Sequence, residues 1–450
     1  MDRFATGLVL IAGAGPTGLT LAIDLARRGV PFRLIEAATK PFAGSRGKGL
    51  QPRTLEVFED LGVIDAVLSA GALYPRLRIH FGPFSWRAGS LGSSKPATVD
   101  VPYPNLWMVP QSRTEEILRE RLRVLGGSVE FGVALESFTQ EDNQEDNGVR
   151  ATLSSGEKVH AEYLVGCDGA RSVVRKTLGL TLVGESLPGK ATLVADVRVE
   201  GLDRRDWQIW PLARGGPLGL CPLPGTELFQ LTASAAAETR IERAVEETTG
   251  HKVSQIAWSS TYRPQVRMVD RYRVGRVLLA GDAAHVHPPS GGQGLNTGVQ
   301  DSYNLGWKLA CVMRGGAESL LDTYESERLP IAAEVLGLSK RLLQTRSFKR
   351  GDLTNQLGLH YRSSPLSTGS ALGGLHPGDR MPDARLEDGS RLFEHMQGPH
   401  PTVIRTSQGG SIVVRPDGYI ATICRGGSGE VAQYQGEAAR VVCGDLSVCP

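Results

Sequence analysis

Residues 8–36 read LVLIAGAGPTGLTLAIDLARRGVPFRLIE and contain a complete supersecondary pattern. Residues 8–12 are an apolar run with the length of a buried strand, and residues 32–35 are a second such run. Between them, apolar residues recur at helical spacing from Leu19 to Arg28, and Gly29 is a typical helix stop. The order strand, glycine turn, helix, strand is a βαβ unit, which predicts an α/β fold with a parallel sheet.

Three glycines in the turn have the spacing of a dinucleotide-binding site. In GAGPTG, residues 13–18, Gly13 permits a tight turn, Gly15 lets the backbone approach a pyrophosphate, and Gly18 allows close helix–strand packing. The helix N-terminus would offer free N–H groups to the phosphates. Glu36 ends the second strand, where it is placed to accept hydrogen bonds from a ribose diol. The alternative is a purely structural glycine turn.

Two later motifs also place a glycine–acid pair just beyond an apolar strand. YLVGCDGARS covers residues 163–172, and RVLLAGDAAHVHPPSGGQGLN covers residues 276–296. Ligands of α/β sheets bind at the carboxyl ends of parallel strands, so Asp282 is expected to accept hydrogen bonds from a polyol such as ribitol. The helix predicted next points its positive end at the same site. Three glycines would let a flat ring lie against the backbone: Gly291, Gly292 and Gly294.

The composition excludes several other classes of protein. The chain has 450 residues with a hydrophobic fraction of 40%, which indicates two or three globular domains. Lys and Arg number 50 against 48 Asp and Glu, so no basic excess points to nucleic acid or an anionic membrane. The six cysteines form no CxxC pair, which argues against a disulfide framework or a zinc site and favours the cytoplasm. Glycine, at 55 residues, is in excess.

One segment imitates a targeting signal. Residues 4–23 carry no charge and follow Arg3, as in a signal peptide or a membrane helix. Glycines and a proline interrupt the run, so strand, turn and helix explain it better. We therefore expect no membrane association.

The texture of the sequence changes along the chain and predicts three parts. Residues 1–180 and 273–362 have α/β character and form one discontinuous domain, while residues 181–272 look like a mostly antiparallel sheet inserted into it. Residues 80–104 are rich in Gly, Pro and Ser and are interpreted as a segment of irregular structure. After a polar linker, residues 375–450 are interpreted as a small separate module.

The three motifs together resemble those of the single-component (class A) flavin-dependent aromatic hydroxylases with the para-hydroxybenzoate hydroxylase fold. The resemblance extends over about residues 8–345 and is strongest to aromatic polyketide hydroxylases and rifampicin monooxygenase-like enzymes. It implies a Rossmann-like FAD-binding domain, FAD as cofactor, and NADPH or NADH and O₂ as co-substrates. The implied reaction is hydroxylation of a small phenolic or polycyclic substrate through a flavin C4a-hydroperoxide, by a monomer or homodimer.

The resemblance also implies specific contacts with the cofactor. Arg46 matches an arginine near the pyrophosphate and ribitol, Gln111 a polar residue on the FAD chain, and Leu295 a backbone contact of the flavin ring. The bland alternative for Arg46 and Gln111 is a solvated loop residue. Arg171 and Arg175 would meet NAD(P)H phosphates or be surface charges. The predicted cofactor-binding residues are Gly13, Gly15, Pro16, Thr17, Gly18, Glu36, Ala37, Arg46, Gln111, Asp168, Gly169, Gly281, Asp282, Pro289, Gly292, Gly294, Leu295 and Asn296.

The substrate side of the site is less marked in the sequence. Four residues of the middle sheet are candidates for the pocket, with a core role as the alternative: Trp210, Cys221, Phe229 and Trp258. No general base can be named, although a phenol reacts more readily as phenolate. His285 and His287 are expected to pack near the cofactor rather than to bind a metal, and no metal site is predicted.

Residues from Pro377 onward resemble the start of the thioredoxin-like domain that many relatives carry. The module lacks CxxC, so redox exchange is not expected, and its end differs enough that it is interpreted as incomplete. Two further classes of function stay open. One is related flavin chemistry, such as epoxidation, Baeyer–Villiger insertion or antibiotic inactivation. The other is a non-catalytic FAD-binding redox sensor.

Overall fold

A computed structural model describes residues 7–89, 91, 94–143, 146–187, 191–288, 292–344, 354–406, 410–424 and 440–443. Two residues predicted to lie at the flavin, Pro289 and Gly291, fall outside the described residues. In the described part of the chain, no helix is long and apolar enough to cross a membrane.

The first part of the chain contains β1 (Val9–Ala12), α1 (Pro16–Arg27), β2 (Phe32–Glu36), β3 (Gly49–Leu50), α2 (Pro52–Asp60), α3 (Ile64–Ala70), β4 (Ala72–Leu73), β5 (Arg76–Phe81), β6 (Phe84–Arg87), β7 (Trp107–Met108), α4 (Gln111–Val124), β8 (Val129–Phe131), β9 (Leu135–Asn143), β10 (Asp146–Leu153), β11 (Lys158–Ala161), β12 (Tyr163–Gly166) and α5 (Val173–Thr177).

The middle of the chain continues with β13 (Val183–Ser186), β14 (Thr192–Val199), β15 (Asp206–Trp210), β16 (Leu218–Pro222), β17 (Phe229–Ser234), α6 (Ile241–Thr249), β18 (Val253–Tyr262), β19 (Gln265–Met268), β20 (Arg273–Val274), β21 (Val277–Leu279), β22 (His285–Val286), α7 (Gly294–Met313) and α8 (Asp322–Gln344). The last part contains β23 (Thr368–Gly369), α9 (Leu392–Met396), β24 (Thr402–Arg405), β25 (Ser411–Val414), β26 (Ile420–Cys424) and β27 (Arg440–Cys443).

The predicted βαβ unit forms the centre of a six-stranded sheet with the order β20-β21-β12-β1-β2-β8. All its neighbouring strands are parallel except β20 and β21. Every residue of β1 is buried, and α1 packs against α7. The strands that precede the three motifs, β1, β12 and β21, are therefore close together in one sheet, which brings the motifs to one edge. The mixed α/β fold class is confirmed.

The second large sheet has the order β18-β14-β17-β16-β15-β5-β6. Its pairs are antiparallel except β15 with β5. The strand β6 and the end of β5 were not expected, because residues 80–104 were interpreted as irregular. A tight hairpin explains the difference: Gly82 adopts φ +57° between the two strands, so the glycine and proline that suggested irregular structure form the turn.

The last part of the chain contains a five-stranded sheet with the order β23-β26-β25-β24-β27 and the short helix α9. It packs against α7 and α8 through buried charges. Arg415 donates to Glu327 of α8 at 2.6 Å, and Lys308 of α7 lies 2.7 Å from the same carboxylate. Both cations and the carboxylate are at most 3% exposed. The sheet is therefore attached through an ionic cluster that water does not reach.

Candidate functional site

The glycine turn after β1 has the geometry that the sequence predicted. Gly13 adopts φ +102°, and a Cβ there would lie 2.4 Å from the carbonyl oxygen of Cys167. A Cβ on Gly18 would lie 1.9 Å from the carbonyl oxygen of Gly13, so helix and strand approach as closely as expected. A Cβ on Gly15 would meet no atom within 4 Å. The space in front of Gly15 is open, as a backbone that approaches a phosphate requires.

Glu36 lies beside this turn at the end of β2. Its carboxylate accepts hydrogen bonds from the backbone N–H of Ala14 at 2.8 Å and of Ala38 at 2.9 Å. The two bonds hold the side chain at the mouth of the glycine turn. The oxygen lone pairs that remain are available to a diol, because a carboxylate accepts about four hydrogen bonds in total.

The second motif connects two loops through Asp168 and Arg175. Asp168 Oδ2 accepts from the N–H groups of Val173 and Val174, so it binds the first turn of α5. Arg175 is 5% exposed and donates to the carbonyl oxygens of Ala170 and Ala283. It is therefore neither a surface charge nor a free phosphate ligand, whereas Arg171 is exposed.

The third motif packs against the first one at Thr17. Gly281 has φ +61°, and a Cβ there would lie 2.5 Å from Thr17 Oγ1. A Cβ on Gly298 of α7 would also lie 2.5 Å from that oxygen, and Ser302 donates to the Thr17 carbonyl at 2.7 Å. The ends of β1 and β21 and the start of α7 consequently meet around the first turn of α1.

A buried chain of polar side chains fixes residues 281–287 against α7 and α8. Asp301 accepts from the Gly281 N–H at 3.0 Å, from Arg328 Nε at 2.8 Å and lies 2.6 Å from His285 Nε2. His285 Nδ1 in turn lies 2.9 Å from His287 Nε2. Burial acts to raise the pKa of Asp301, but His285 and Arg328 outweigh it and hold the pKa at about 2.

The surroundings of His287 keep its imidazole ring neutral. Burial, with a smaller contribution from His285, lowers the pKa of His287 well below its ordinary value, so His287 is neutral. Its Nδ1 is buried without a hydrogen-bond partner, and its Cβ lies 3.7 Å from the position of a Cβ on Gly294. Packing near the predicted cofactor site is what the sequence suggested. Within the described residues no group of three potential metal ligands occurs.

The loop of residues 44–51 is held in front of α7 by several hydrogen bonds. Asn296 accepts from the Gln51 N–H at 2.7 Å and donates to the Gly49 carbonyl at 2.8 Å. Gln111 accepts from the Gly47 N–H at 2.9 Å and donates to Glu115 at 2.9 Å. Gln111 is therefore a positioning residue and not a solvated one. A Cβ on Gly47 would lie 3.1 Å from Leu295.

Glu115 was missed by the sequence analysis, although it lies one helical turn after Gln111 in α4. Burial raises its pKa to about 7, with Gln111 and Arg119 acting in the opposite direction. The i, i+4 spacing from Gln111 is the signal that would have found it.

Arg46, in the 44–51 loop, lies close enough to Asp282 for its charge to act on that carboxylate. The surrounding protein atoms raise the pKa of Asp282 although the residue is exposed to solvent, and the charges of His285 and Arg46 act to lower it. The guanidinium is exposed, donates to Ser260 at 3.3 Å and lies 5.9 Å from the rings of both Phe42 and Trp258. Asp282 Oδ1 lies 3.9 Å from the position of a Cβ on Gly294. Residues of the 44–51 loop and of the third motif thus lie close to one another.

The four pocket candidates lie on two different faces of the middle sheet. Cys221 pairs with Gln230, Gln230 with Asp196, and Asp196 with Trp258, so these side chains form one row across the sheet. The 44–51 loop covers this row: Ser45 donates to Asp196 at 2.5 Å. Cys221 and Trp258 therefore lie on the face turned toward the loop.

Trp210 and Phe229 lie on the opposite face, so their assignment to the pocket is corrected. Phe229 belongs to a hydrophobic core with Leu231 and Val245, and Trp210 packs against this core. Phe229 is 1% exposed and lies under the guanidinium of Arg204. The period of two along a strand reverses the face at each residue, and the sequence alone did not say which face met the loop.

Comparison with known proteins places the chain among enzymes that use FAD. The family model described as "FAD binding domain" matches residues 7–339. A flavin-dependent monooxygenase of Mycobacteroides abscessus is 44% identical over 96% of this chain and 100% of its own length. The rifampicin monooxygenase of Streptomyces venezuelae is 37% identical over 76% of this chain and 72% of its own.

A solved structure agrees with these relatives. The anhydrotetracycline hydroxylase OxyS from Streptomyces rimosus superimposes with a TM-score of 0.73 at 30% identity, over 93% of this chain and 96% of that chain. The resemblance to aromatic polyketide hydroxylases and rifampicin monooxygenase-like enzymes is confirmed, as is FAD as the cofactor. The chain belongs to the FAD-binding-domain family and is an FAD-dependent monooxygenase.

Proposed function

We propose that the protein hydroxylates a phenolic or polycyclic, polyketide-like aromatic compound, with NADPH or NADH as reductant and O₂ as the oxygen source. The observation that carries the proposal is the proximity of Arg46, Asp282 and Gly294, together with the open space in front of Gly15. The relatives named for rifampicin and anhydrotetracycline support an aromatic polyketide as the substrate class.

The residues present fit FAD. Gly15, with Pro16 and the N-terminus of α1 behind it, would hold the pyrophosphate, because the backbone there meets no side chain. Glu36 and Ala37 would hold the adenosine ribose, while Asp282 and Arg46 would hold the ribitol and its neighbouring phosphate. The flavin ring would lie against Gly292 and the start of α7. When bound, FAD supplies the reduction and activation of O₂.

The protein contributes position and electrostatics around that ring. The helix α7 begins at Gly294 without a side-chain cap and without an acidic residue in its first turn. Its positive end is therefore available to negative charge on the reduced ring. Asn296 and Gln111 hold the 44–51 loop in place, so the loop contacts both the start of α7 and the sheet that carries Cys221 and Trp258. Exclusion of water there would protect the oxygen-transfer step.

Several finer assignments belong to the same proposal. Residues 1–180 with 273–362 are proposed as the FAD-binding domain, residues 181–272 as the inserted substrate domain, and residues 375–450 as a thioredoxin-like module. We place the protein in the cytoplasm as a monomer or homodimer. Cys167 and Cys221 are buried free thiols, which suits a reducing compartment.

The test is a substrate screen with purified, FAD-loaded protein. NADPH oxidation is followed with and without a panel of phenols and polycyclic aromatics, and products are analysed by mass and NMR. The proposal expects stimulated NADPH oxidation and a product that carries one added hydroxyl group on the ring. A yellow protein whose NADPH oxidation no aromatic compound stimulates would instead indicate a redox sensor. An epoxide or a ring-expanded ester would assign the related flavin chemistry.

A further inference from the structure

Lys48 lies where the 44–51 loop crosses the middle sheet. Its carbonyl accepts from the Val109 N–H at 2.9 Å, and Gly49 directly after it begins β3. The side chain extends over the sheet, where Nζ lies 4.5 Å from the centre of the Trp207 ring. Trp207 is on β15, next to the strand that carries Cys221. Lys48 therefore occupies the same face of the sheet as the proposed substrate side.

The ammonium group of Lys48 is buried without an oxygen or nitrogen atom that accepts a hydrogen bond from it. No carboxylate of the described residues lies within 4.0 Å of it. The sulfur of Cys221 is its polar neighbour. Burial raises the pKa of this thiol and outweighs the charge of Lys48 and its hydrogen bond, so the thiol is neutral and does not balance the charge. Asp196 acts on Lys48 only at longer range, and Ser45 already donates to its carboxylate.

A second unpaired donor lies beside the first. Trp207 Nε1 is also buried without an acceptor. Two neighbouring donors without a partner are costly, because each buried group that loses its hydrogen bond to water costs about 1 to 3 kcal/mol. An oxygen that carries negative charge would accept from both. The ring of Tyr74, whose centre lies 6.2 Å from that of Trp207, adds an aromatic wall.

We propose that Lys48 and Trp207 form a subsite for the deprotonated phenol or enol oxygen of the substrate. This inference rests on the proposed function and deepens it. The substrate O–H bond breaks on binding, its proton passes to the solvent, and the oxygen anion accepts from Lys48 Nζ and Trp207 Nε1. The anion is the more electron-rich form of the ring, which an electrophilic oxygen attacks more readily. A fixed cation thereby replaces the general base that the sequence did not reveal.

A structural role for Lys48 is the competing explanation. The ammonium over the Trp207 ring is a cation–π pair, and such a pair is worth about 0.5 to 2 kcal/mol without any ligand. It leaves both donors unpaired, however, whereas an anion satisfies both. The two explanations differ in what binds: only the subsite prefers an ionised phenol over its neutral form.

The probe for the test is 4-nitrophenol, whose neutral and ionised forms absorb at different wavelengths. Oxidised, FAD-loaded protein is titrated with it, and the spectrum of the bound probe and its affinity are recorded. The wild type is expected to bind the ionised form and to lower the apparent pKa of the probe. Lys48→Met should weaken binding at least tenfold, Trp207→Phe less, and Lys48→Arg should retain the preference for the anion.

Two controls separate the subsite from general effects. Lys158→Met, an exposed lysine of β11, removes the same charge elsewhere and should bind as the wild type does. The methyl ether 4-nitroanisole cannot ionise and should bind wild type and Lys48→Met equally. The bound FAD spectrum of each variant reports whether it is folded.

Three outcomes would overturn the subsite: no binding of 4-nitrophenol to the wild type, binding of its neutral form, or equal affinity in Lys48→Met. None of them touches the proposed function, because flavin content and aromatic-stimulated NADPH oxidation are measured on the same preparations. Loss of that stimulation with an intact preference for the anion would instead contradict the proposed function alone.

Discussion

His285 Nε2 lies 2.6 Å from Asp301 Oδ2, and neither residue is exposed. The same carboxylate pairs with Arg328, which is also fully buried. Through these contacts, α7 and α8 fix the turn at Gly281, whose acidic neighbour is proposed to hold the ribitol. The shape of the flavin site thus depends on charges that never meet the cofactor.

Asp301→Asn tests this dependence. The substitution keeps the size of the side chain but leaves the buried guanidinium of Arg328 without its ionic partner, which typically costs about 3 to 5 kcal/mol. We expect a loss of that order in the free energy of unfolding, measured with denaturant, and weaker binding of FAD. Asp322→Asn removes an exposed carboxylate of α8 and should change stability by less than about 1 kcal/mol. Equal effects of the two variants would contradict the account.

Substitution by alanine is expected to have opposite effects at Gly15 and at Gly18. Gly15→Ala should leave the apoprotein as stable as the wild type, because its Cβ meets nothing within 4 Å. It should weaken FAD binding at least tenfold, about 1.4 kcal/mol, because the methyl group would occupy the place of the pyrophosphate.

Gly18→Ala is the matched variant. Its Cβ would lie 1.9 Å from the Gly13 carbonyl oxygen, so we expect a loss of apoprotein stability of about 1 to 3 kcal/mol or more. Melting temperature without FAD and flavin titration with FAD distinguish the two. Unchanged FAD affinity in Gly15→Ala would remove the main support for the pyrophosphate site.

Glu115 predicts a pH-dependent contribution to stability. Its carboxyl has a pKa of about 7 in the folded protein against an ordinary value of 4.5. The folded state therefore binds the proton more tightly, and stability falls as pH rises from about 4.5 to about 7, then stays lower. The size is about 3 kcal/mol, from a shift of about two and a half pH units.

Glu115→Gln removes this titration. The difference in unfolding free energy between variant and wild type should grow in favour of the variant over that pH interval. Glu116→Gln, an exposed neighbour on α4, is the control and should show a constant difference. A constant difference for Glu115→Gln as well would show that the buried carboxyl does not titrate near neutrality.

The buried ion pair of Arg415 with Glu327 leads us to expect that the C-terminal sheet stabilises the rest of the chain. Arg415→Met leaves Glu327 with less compensation in a fully buried cluster, which should cost about 3 to 5 kcal/mol of unfolding free energy. Arg243→Met breaks the exposed pair with Glu247 and should cost less than about 1 kcal/mol. A single cooperative transition is expected in both. Separate melting of the C-terminal part in the wild type would contradict the buried docking.

The βαβ unit and its motifs were predictable because local rules determine them. Strand length, glycine spacing and the acid at Glu36 all act within residues 8–36, and the structure contains each of these features. The faces of β15 and β17 were not predictable, because Trp210 and Phe229 are apolar on a sheet that is covered on both sides.

Long-range pairs account for the rest of what the sequence concealed. Arg175 contacts Ala283, which is more than a hundred residues later in the chain, and Lys48 contacts Trp207, which is also more than a hundred residues later. Neither pair follows a short-range spacing rule, so only the folded chain brings them together. The sequence indicates such contacts only through polar residues, such as Asp301, that lie within a buried helix.

The most direct test of the central claim is the origin of the oxygen atom in the product. FAD-loaded protein is incubated with NADPH, an aromatic substrate from the screen and isotopically labelled O₂, and the product is analysed by mass spectrometry. The account predicts one labelled oxygen atom in the product for each turnover that yields it, with the label in a ring hydroxyl. A product whose added oxygen comes from water, or no oxygenated product with any aromatic compound, would contradict it.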